Sequence, residues 1–377
     1  MTSWWLAEDS APAFPRGAGA VADVEIVGAG ITGVSAALTL AGAGLRVRVH
    51  DARRVAEGAS GRNGGFALRG GAMPYDGARE WLGADRAAEY WRLTEDALDR
   101  LAELAGDALR RTGSLRLAAD DEEADELRAE LGALREDGFE AEWRTDVVGG
   151  RFPAAIFHPR DAAVQPARVV RRLAERAGEV GVAFVEEHRV ASLGDVEAER
   201  VLVATDGYPS GLLGALEGLI IPTRGQMIAT EPIPERLFDC PHYGRHGFDY
   251  WQQTADGRIL AGGFRDYALE SEFTTDESPT DTIQGALDAF VADLVGRPLE
   301  VTHRWAGLFG LVLDFLPVVG RVPDVENVWV AGGYSGHGNV LGFLCGDLVA
   351  RSMLGETHEL LGTFDPARLL QLEVGEI

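Results

Sequence analysis

The chain reads as an α/β fold: a parallel sheet flanked by helices, interleaved with an α+β region built on an antiparallel sheet. Three observations carry this reading. Segments near residues 30, 205 and 335 each run as a continuous apolar strand into a glycine turn, the pattern of parallel strands buried on both faces. Two of those turns open directly into a small, apolar helix, at Ile31 and at Val340. Between them, from Pro222 to Trp305, short alternating strand-like pieces follow one another, as in an antiparallel sheet inserted into another domain.

The first strand–turn–helix is Val24 to Leu38, with the pattern Gly28-x-Gly30-x-x-Gly33. Gly28 permits a tight turn off the strand, Gly30 lets a pyrophosphate approach the backbone, and Gly33 lets the helix pack closely. The free N–H groups and positive end of the helix dipole then face an anion. A second strand, Leu45 to His50, ends on Asp51, near the spacing of about 20 residues expected for a carboxylate on ribose hydroxyls. That carboxylate repels a 2′-phosphate, so the pattern favours an ADP moiety lacking one. The domain is therefore Rossmann-like.

In chain order, residues 1–20 form an arm, with Trp4, Trp5 and Phe14 packed on the body and Pro12 and Pro15 keeping it irregular. The segment Arg53 to Gly65 is glycine-rich and polar, with donors at Ser60, Arg62 and Asn63; it reads either as a second wall for an extended dinucleotide or as a surface loop. Helical spacing marks 78–106, 120–137, 166–180 and 280–295, with Leu127, Leu131 and Leu134 forming one apolar stripe. Strand patterns mark 113–118, 182–186, 201–208 with its closing turn, 222–230, 248–253, 259–263, 299–305 and 328–333.

Composition narrows the function. The 377 residues carry a formal charge of −25, which argues against nucleic acid and anionic membranes as partners. No apolar run reaches the ~18 residues of a membrane span, and the acidic start lacks a signal-peptide n-region. Two distant cysteines, Cys240 and Cys345, give no disulfide framework and no metal motif, so a cytoplasmic setting is expected. All 35 cationic residues are arginine; no lysine is available as base or point charge. His242 and His246 have helical spacing but sit among Pro241 and Gly244, which disfavour a helix.

The succession GAGITG, GASGRNGG, LVATDGY, PTRGQMIATEP, RWAGLFGLVLDFLPVVG and AGGYSGHGNVLG resembles the D-amino-acid-oxidase-like family of FAD-dependent amine oxidoreductases, and within it the gamma-glutamylputrescine oxidase branch. The resemblance implies an FAD-binding domain made of 1–75, 150–222 and 306–377, and a substrate domain of 76–149 and 223–305. It implies FAD contacts at Gly28, Gly30, Ile31, Thr32, Gly33, Asp51, Ala52, Arg53, Ala59, Ser60, Arg62, Asn63, Gly64 and Gly65. Further contacts are implied at Val190, Ala204, Thr205, Gly207, Gly307, Gly336, His337, Gly338 and Asn339. No cysteine stands between Gly307 and Leu313, where relatives attach flavin, so FAD is expected to be non-covalent. The implied reaction is hydride transfer from a carbon beside an amine nitrogen to flavin N5, giving an imine that hydrolyses, with dioxygen as acceptor or, alternatively, a non-oxygen acceptor. A flavin-binding protein without turnover is a third reading. Relatives use a lysine to activate dioxygen; here Arg62, Arg265 or His337 would have to serve, and Arg62 and His337 are the catalytic candidates, His337 reading equally as a turn residue. For a small amine or amino-acid substrate, Arg69, Arg224 and Arg265 are candidate carboxylate clamps, with Tyr250 and Trp251 as aromatic walls. Arg69→Ala is expected to raise KM with flavin retained. The oligomeric state is not readable.

Overall fold

Val24–Val27 is buried at all four positions, and it lies in the interior of a six-stranded sheet. The computed structural model describes residues 2–10, 12, 14 and 21–371; Pro15 lies outside them. The sheet order is Val318–Arg321, Val328–Gly332, Arg200–Val203, Val24–Val27, Val47–His50 and Ala183–Val185. All pairings are parallel except the first, where Val318–Arg321 runs against Val328–Gly332. The three strand-then-glycine segments are therefore neighbours, and their turns share one edge of the sheet.

Two helices follow those turns, Ile31–Gly42 and Gly338–Met353. They lie against each other because Gly342 and Gly346, one turn apart, present no side chain. A Cβ at Gly346 would stand 2.4 Å from the Thr32 carbonyl oxygen. Ser35 Oγ donates to the Phe343 carbonyl at 2.7 Å, and the Thr32 and Tyr334 hydroxyls meet at 2.9 Å. Both helix N-termini consequently face the same edge.

The second sheet has eight strands, in the order 301–311, 221–232, 258–263, 249–253, 242–244, 114–118, 152–158 and 142–146. Only 242–244 beside 114–118 is parallel. The hairpin 142–158 crosses the boundary expected at residue 150, and Val301–Leu311 crosses the one expected at 306. The helical stretch expected at 78–106 is two helices, Tyr75–Leu82 and Ala84–Ala105, divided at Gly83 with φ +83°. The arm, expected to be irregular, contains the helical turn Trp4–Glu8; Trp4, Trp5 and Phe14 are buried. Trp5 Nε1 donates to the Asn63 carbonyl at 2.8 Å, so the arm braces the Ser60–Gly65 loop. Among the described residues no helix is long and apolar enough to cross a membrane.

Candidate functional site

The shared edge of the parallel sheet opens into a cleft of about 1200 Å³, counted to its mouth. Its walls come from Val27–Thr32, from Asp51–Arg53, from the Gly58–Asn63 loop, from Arg189 and Val190, and from Ala204–Asp206. A second chamber of about 1300 Å³ adjoins it under the antiparallel sheet. The two share Ala59, Asn63, Phe309, Gly336 and Asn339. At this junction Asn63 Nδ2 donates to Asn339 Oδ1 at 3.1 Å, and Asn339 Nδ2 donates to the Phe66 carbonyl at 2.7 Å.

The glycine turn behaves as its spacing requires. Gly28 has φ +113°, and a Cβ there would meet the Ala204 carbonyl oxygen at 2.4 Å. Gly30 faces open cleft apart from Ser60 Oγ, 2.9 Å from where its Cβ would stand. Ser60 Oγ accepts from Ile31 N at 2.9 Å, joining the two glycine loops. Asp51 Oδ2 accepts from Ala29 N and Oδ1 from Arg53 N, at 2.7 and 2.8 Å. Burial pushes its carboxyl above the ordinary range, against the pull of those two donors. Each oxygen keeps a lone pair for a further donor.

Of the other expected cofactor residues, Ile31, Thr32, Ala52, Arg53, Ala59, Ser60, Val190, Ala204, Thr205 and Gly338 line the first chamber. Arg62, Gly64, Gly307 and His337 line the second. Gly33, Gly65 and Gly207 line neither; they are packing glycines. A Cβ at Gly33 would stand 1.9 Å from the Gly28 carbonyl oxygen, at Gly65 2.6 Å from Trp5, and at Gly207 2.4 Å from the Phe309 backbone.

The arginines separate by partner. Arg69 Nη1 donates to Glu95 Oε1 at 2.6 Å, and its Nη2 bonds the Glu140 carbonyl. It lies in a smaller polar chamber behind His337, outside the second chamber's lining. Arg224 donates to both oxygens of Glu272, at 2.9 and 2.7 Å, and to three backbone carbonyls. Neither is open to a substrate carboxylate, because burial has given each a fixed acceptor set. Arg265 differs. It lines the second chamber, its guanidinium lies 4.3 Å from the Phe248 ring centroid and 5.7 Å from that of Phe309, and among the described residues no carboxylate is within ion-pair distance of it. Burial lowers its pKa. Tyr250 stands in the same chamber, edge-on to Phe66, its phenol pushed up to about 12 by burial, whereas Trp251 is fully buried against His242 and lines neither chamber.

The catalytic candidates differ too. Arg62 Nε donates to the Glu57 carbonyl and Nη1 to the Ala306 carbonyl, at 2.9 and 3.1 Å, so it ties the glycine loop to the strand 301–311. His337 is the N-cap residue of Gly338–Met353. Burial lowers its pKa to about 4, and among the described residues its buried Nδ1 has no hydrogen-bond partner.

Three site features escape the sequence. Asp206, half-buried and at φ +48°, accepts from Gly310 N at 2.9 Å and Gly333 N at 2.8 Å. Its signal was a carboxylate closing an apolar strand. Glu277 and the tyrosine Tyr208 bond at the cleft rim, at 2.7 Å. Phe309 and Phe315 line the second chamber.

A cleft with two helix N-termini at its glycine loops and the Asp51 carboxylate beside them fits a dinucleotide, and the adjoining chamber holds the His337 Nδ1 that has no hydrogen-bond partner among the described residues. Comparison with known proteins agrees. The chain matches the FAD dependent oxidoreductase family (DAO) over residues 23–352, and it belongs to that family; it is an FAD-dependent oxidoreductase. It is 29% identical over 394 residues to a probable oxidoreductase of Rhizobium meliloti, covering 95% of this chain and 89% of that one. It is 29% identical over 367 residues to the gamma-glutamylputrescine oxidoreductase of Escherichia coli, covering 89% and 84%. The fold matches the crystal structure of glycine oxidase from Geobacillus kaustophilus with a TM-score of 0.75 at 22% identity, covering 93% of this chain and 99% of that one.

Proposed function

We propose that this chain oxidises a C–N bond in an amine or amino acid, with FAD held non-covalently in the first chamber and the substrate in the second. The observation that carries the reading is the junction of the two chambers at Asn63 and Asn339, with Arg265, which has no carboxylate within ion-pair distance among the described residues, on the substrate side. The names of curated relatives, a gamma-glutamylputrescine oxidoreductase and a glycine oxidase, support the substrate class. Neither cysteine lines either chamber, which supports non-covalent binding.

Bound FAD supplies a two-electron, hydride-accepting centre, so the substrate leaves as an imine and is hydrolysed. The chain's own groups do the rest. The Gly28–Gly33 turn and the Ser60–Gly64 loop cradle the pyrophosphate, and Asp51 holds the adenosine ribose. The Gly338–Met353 helix directs its N-terminal dipole at charge developing near the junction. Arg265 orients a substrate carboxylate, and Tyr250, Phe309 and Phe315 exclude water. His337, with its depressed pKa, is neutral at pH 7 and acts as a hydrogen-bonding group, not a cation.

Anaerobic mixing with polyamines, N-methyl amino acids and amino acids, read by flavin bleaching, tests the reading. Bleaching by at least one amine is expected; none with any of them would refute it. Arg265→Leu should raise KM for carboxylate-bearing substrates and leave that for uncharged amines within about threefold. Dioxygen is the proposed acceptor. The absence of lysine favours a second reading, a dehydrogenase with a non-oxygen acceptor; peroxide release against dye reduction separates the two.

A further inference from the structure

Arg224, expected at a substrate carboxylate, instead organises a loop. Its guanidinium is bidentate to Glu272 and also donates to the carbonyls of Ser271, Asp276 and Ser278, at 3.2, 3.3 and 3.1 Å. Gln226, two residues along the same strand, closes the loop by accepting from Thr280 N at 2.8 Å and donating to Thr280 Oγ1 at 2.9 Å. Residues 271–280 are thus pinned at both ends to the antiparallel sheet. Between the anchors at Asp276 and Ser278 the loop presents Glu277 to the other sheet.

Glu277 joins both rims of the first chamber. Its carboxylate forms a bidentate pair with Arg53, which follows the strand Val47–His50. It accepts from the Tyr208 hydroxyl at 2.7 Å, and Tyr208 follows the strand Arg200–Val203. Those two strands flank Val24–Val27 on either side, so the partners stand on opposite sides of the glycine turn. The Arg53 guanidinium stacks 5.0 Å from the Tyr208 ring centroid, and Arg62 Nε lies 4.0 Å from Glu277 Oε1. Burial works to raise the Glu277 pKa, but the bonds from Arg53 and Tyr208 outweigh it and hold the carboxyl below its ordinary range. The latch is therefore charged at neutral pH.

We infer that residues 271–280 form a clasp from the antiparallel domain over the cofactor cleft, with Glu277 as a positioning residue that locks Arg53 and Tyr208 together and slows release of FAD. The inference rests on the reading that the first chamber holds FAD. Glu277 acts through the two rim side chains.

The test is the rate of FAD release from the full-length holoprotein, followed by the rise in flavin fluorescence on dilution. Glu277→Gln is expected to release FAD roughly tenfold faster, as loss of charge-assisted bonds predicts. Wild-type release should quicken at high salt, and release from the variant should not. Tyr208→Phe, which removes one bond, should give a smaller acceleration of about threefold. Glu270→Gln, at an exposed carboxylate one residue before the loop, should release at the wild-type rate. Wild-type release from Glu277→Gln, or equal acceleration in Glu270→Gln, would overturn the latch while leaving the cofactor site standing. A wild-type chain that takes up no FAD would overturn the site and the latch with it.

Discussion

Asp206 sets the sharpest quantitative expectation. Its carboxylate accepts from Gly310 N and Gly333 N at 2.9 and 2.8 Å, so one side chain joins the ends of three strands at the cleft. Asp206→Ala would strand two buried donors, at roughly 1–3 kcal/mol each. Part of that is offset, because burial already raises the Asp206 pKa, and removing the carboxylate relieves its desolvation. A net loss of about 2–4 kcal/mol is expected. Asp206→Asn is the informative variant. Its single carbonyl oxygen serves one donor, and its NH₂ then confronts the other N–H, so it should cost nearly as much as alanine despite matching aspartate in volume. Denaturant unfolding at saturating FAD, which holds ligand linkage fixed, gives both numbers. An Asn variant within about 0.5 kcal/mol of wild type would refute the argument that acceptor chemistry, rather than shape, holds these strand ends.

Other expectations follow from the same geometry. Gly33→Ala drives a Cβ to 1.9 Å from a backbone oxygen, whereas Gly30→Ala meets only the Ser60 hydroxyl at 2.9 Å; the first should yield insoluble or flavin-free protein, and the second folded protein with weakened FAD binding by equilibrium titration. Arg69→Ala leaves Glu95 buried with only the longer 3.4 Å contact to Arg160, so a loss of about 3 kcal/mol in unfolding free energy is expected, with KM unchanged in the folded fraction. This replaces the rise in KM expected from sequence. His242 and His337 are held near pKa 4, chiefly by burial, so between pH 6.5 and 4 the unfolded chain takes up protons the folded chain refuses. Each then contributes about 3 kcal/mol that is present above pH 6.5 and lost toward pH 4. Asp161, raised to about 6 by burial, acts oppositely, its contribution fading as pH rises toward 6. His242→Asn should flatten the acid limb of stability against pH; an unchanged slope would count against the assignment.

The parallel sheet was legible because its signals are local. Val24–Val27, Arg200–Val203 and Val328–Gly332 each carry a buried apolar run, and each turn's glycine sits beside the strand it ends. The hairpin 142–158 was not, because Glu142–Asp146 is a largely exposed edge strand of polar residues, with no alternation to betray it. Its pairing with Phe152–His158 is fixed by tertiary contact. The same division runs through the site. Gly28, Gly30 and Asp51, singled out by turn chemistry and spacing, and Asn339, implied by the family resemblance, all line the first chamber. The pairing of Arg69 and Arg224 was not legible, because their partners Glu95 and Glu272 lie 26 and 48 residues away, and nothing local distinguishes a paired arginine from an open one.

That distinction matters more in a chain whose cations are all arginine. A guanidinium is weakly hydrated and can rest on an aromatic face, so Arg265 tolerates partial burial against Phe248 and Phe309 where an ammonium would demand water or an acid. The rings replace only part of its lost hydration, as its lowered pKa records. An anion entering the chamber would make up the remainder, and a neutral ligand would not. Arg265 should therefore discriminate by charge at the substrate rather than by size. For the same reason Arg265→Lys is expected to behave as a loss and not as a conservative change: the ammonium would draw water into the chamber, and KM for carboxylate-bearing substrates should rise roughly tenfold or more. Wild-type KM in that variant would show that a point charge suffices and that the stacked guanidinium plane plays no part.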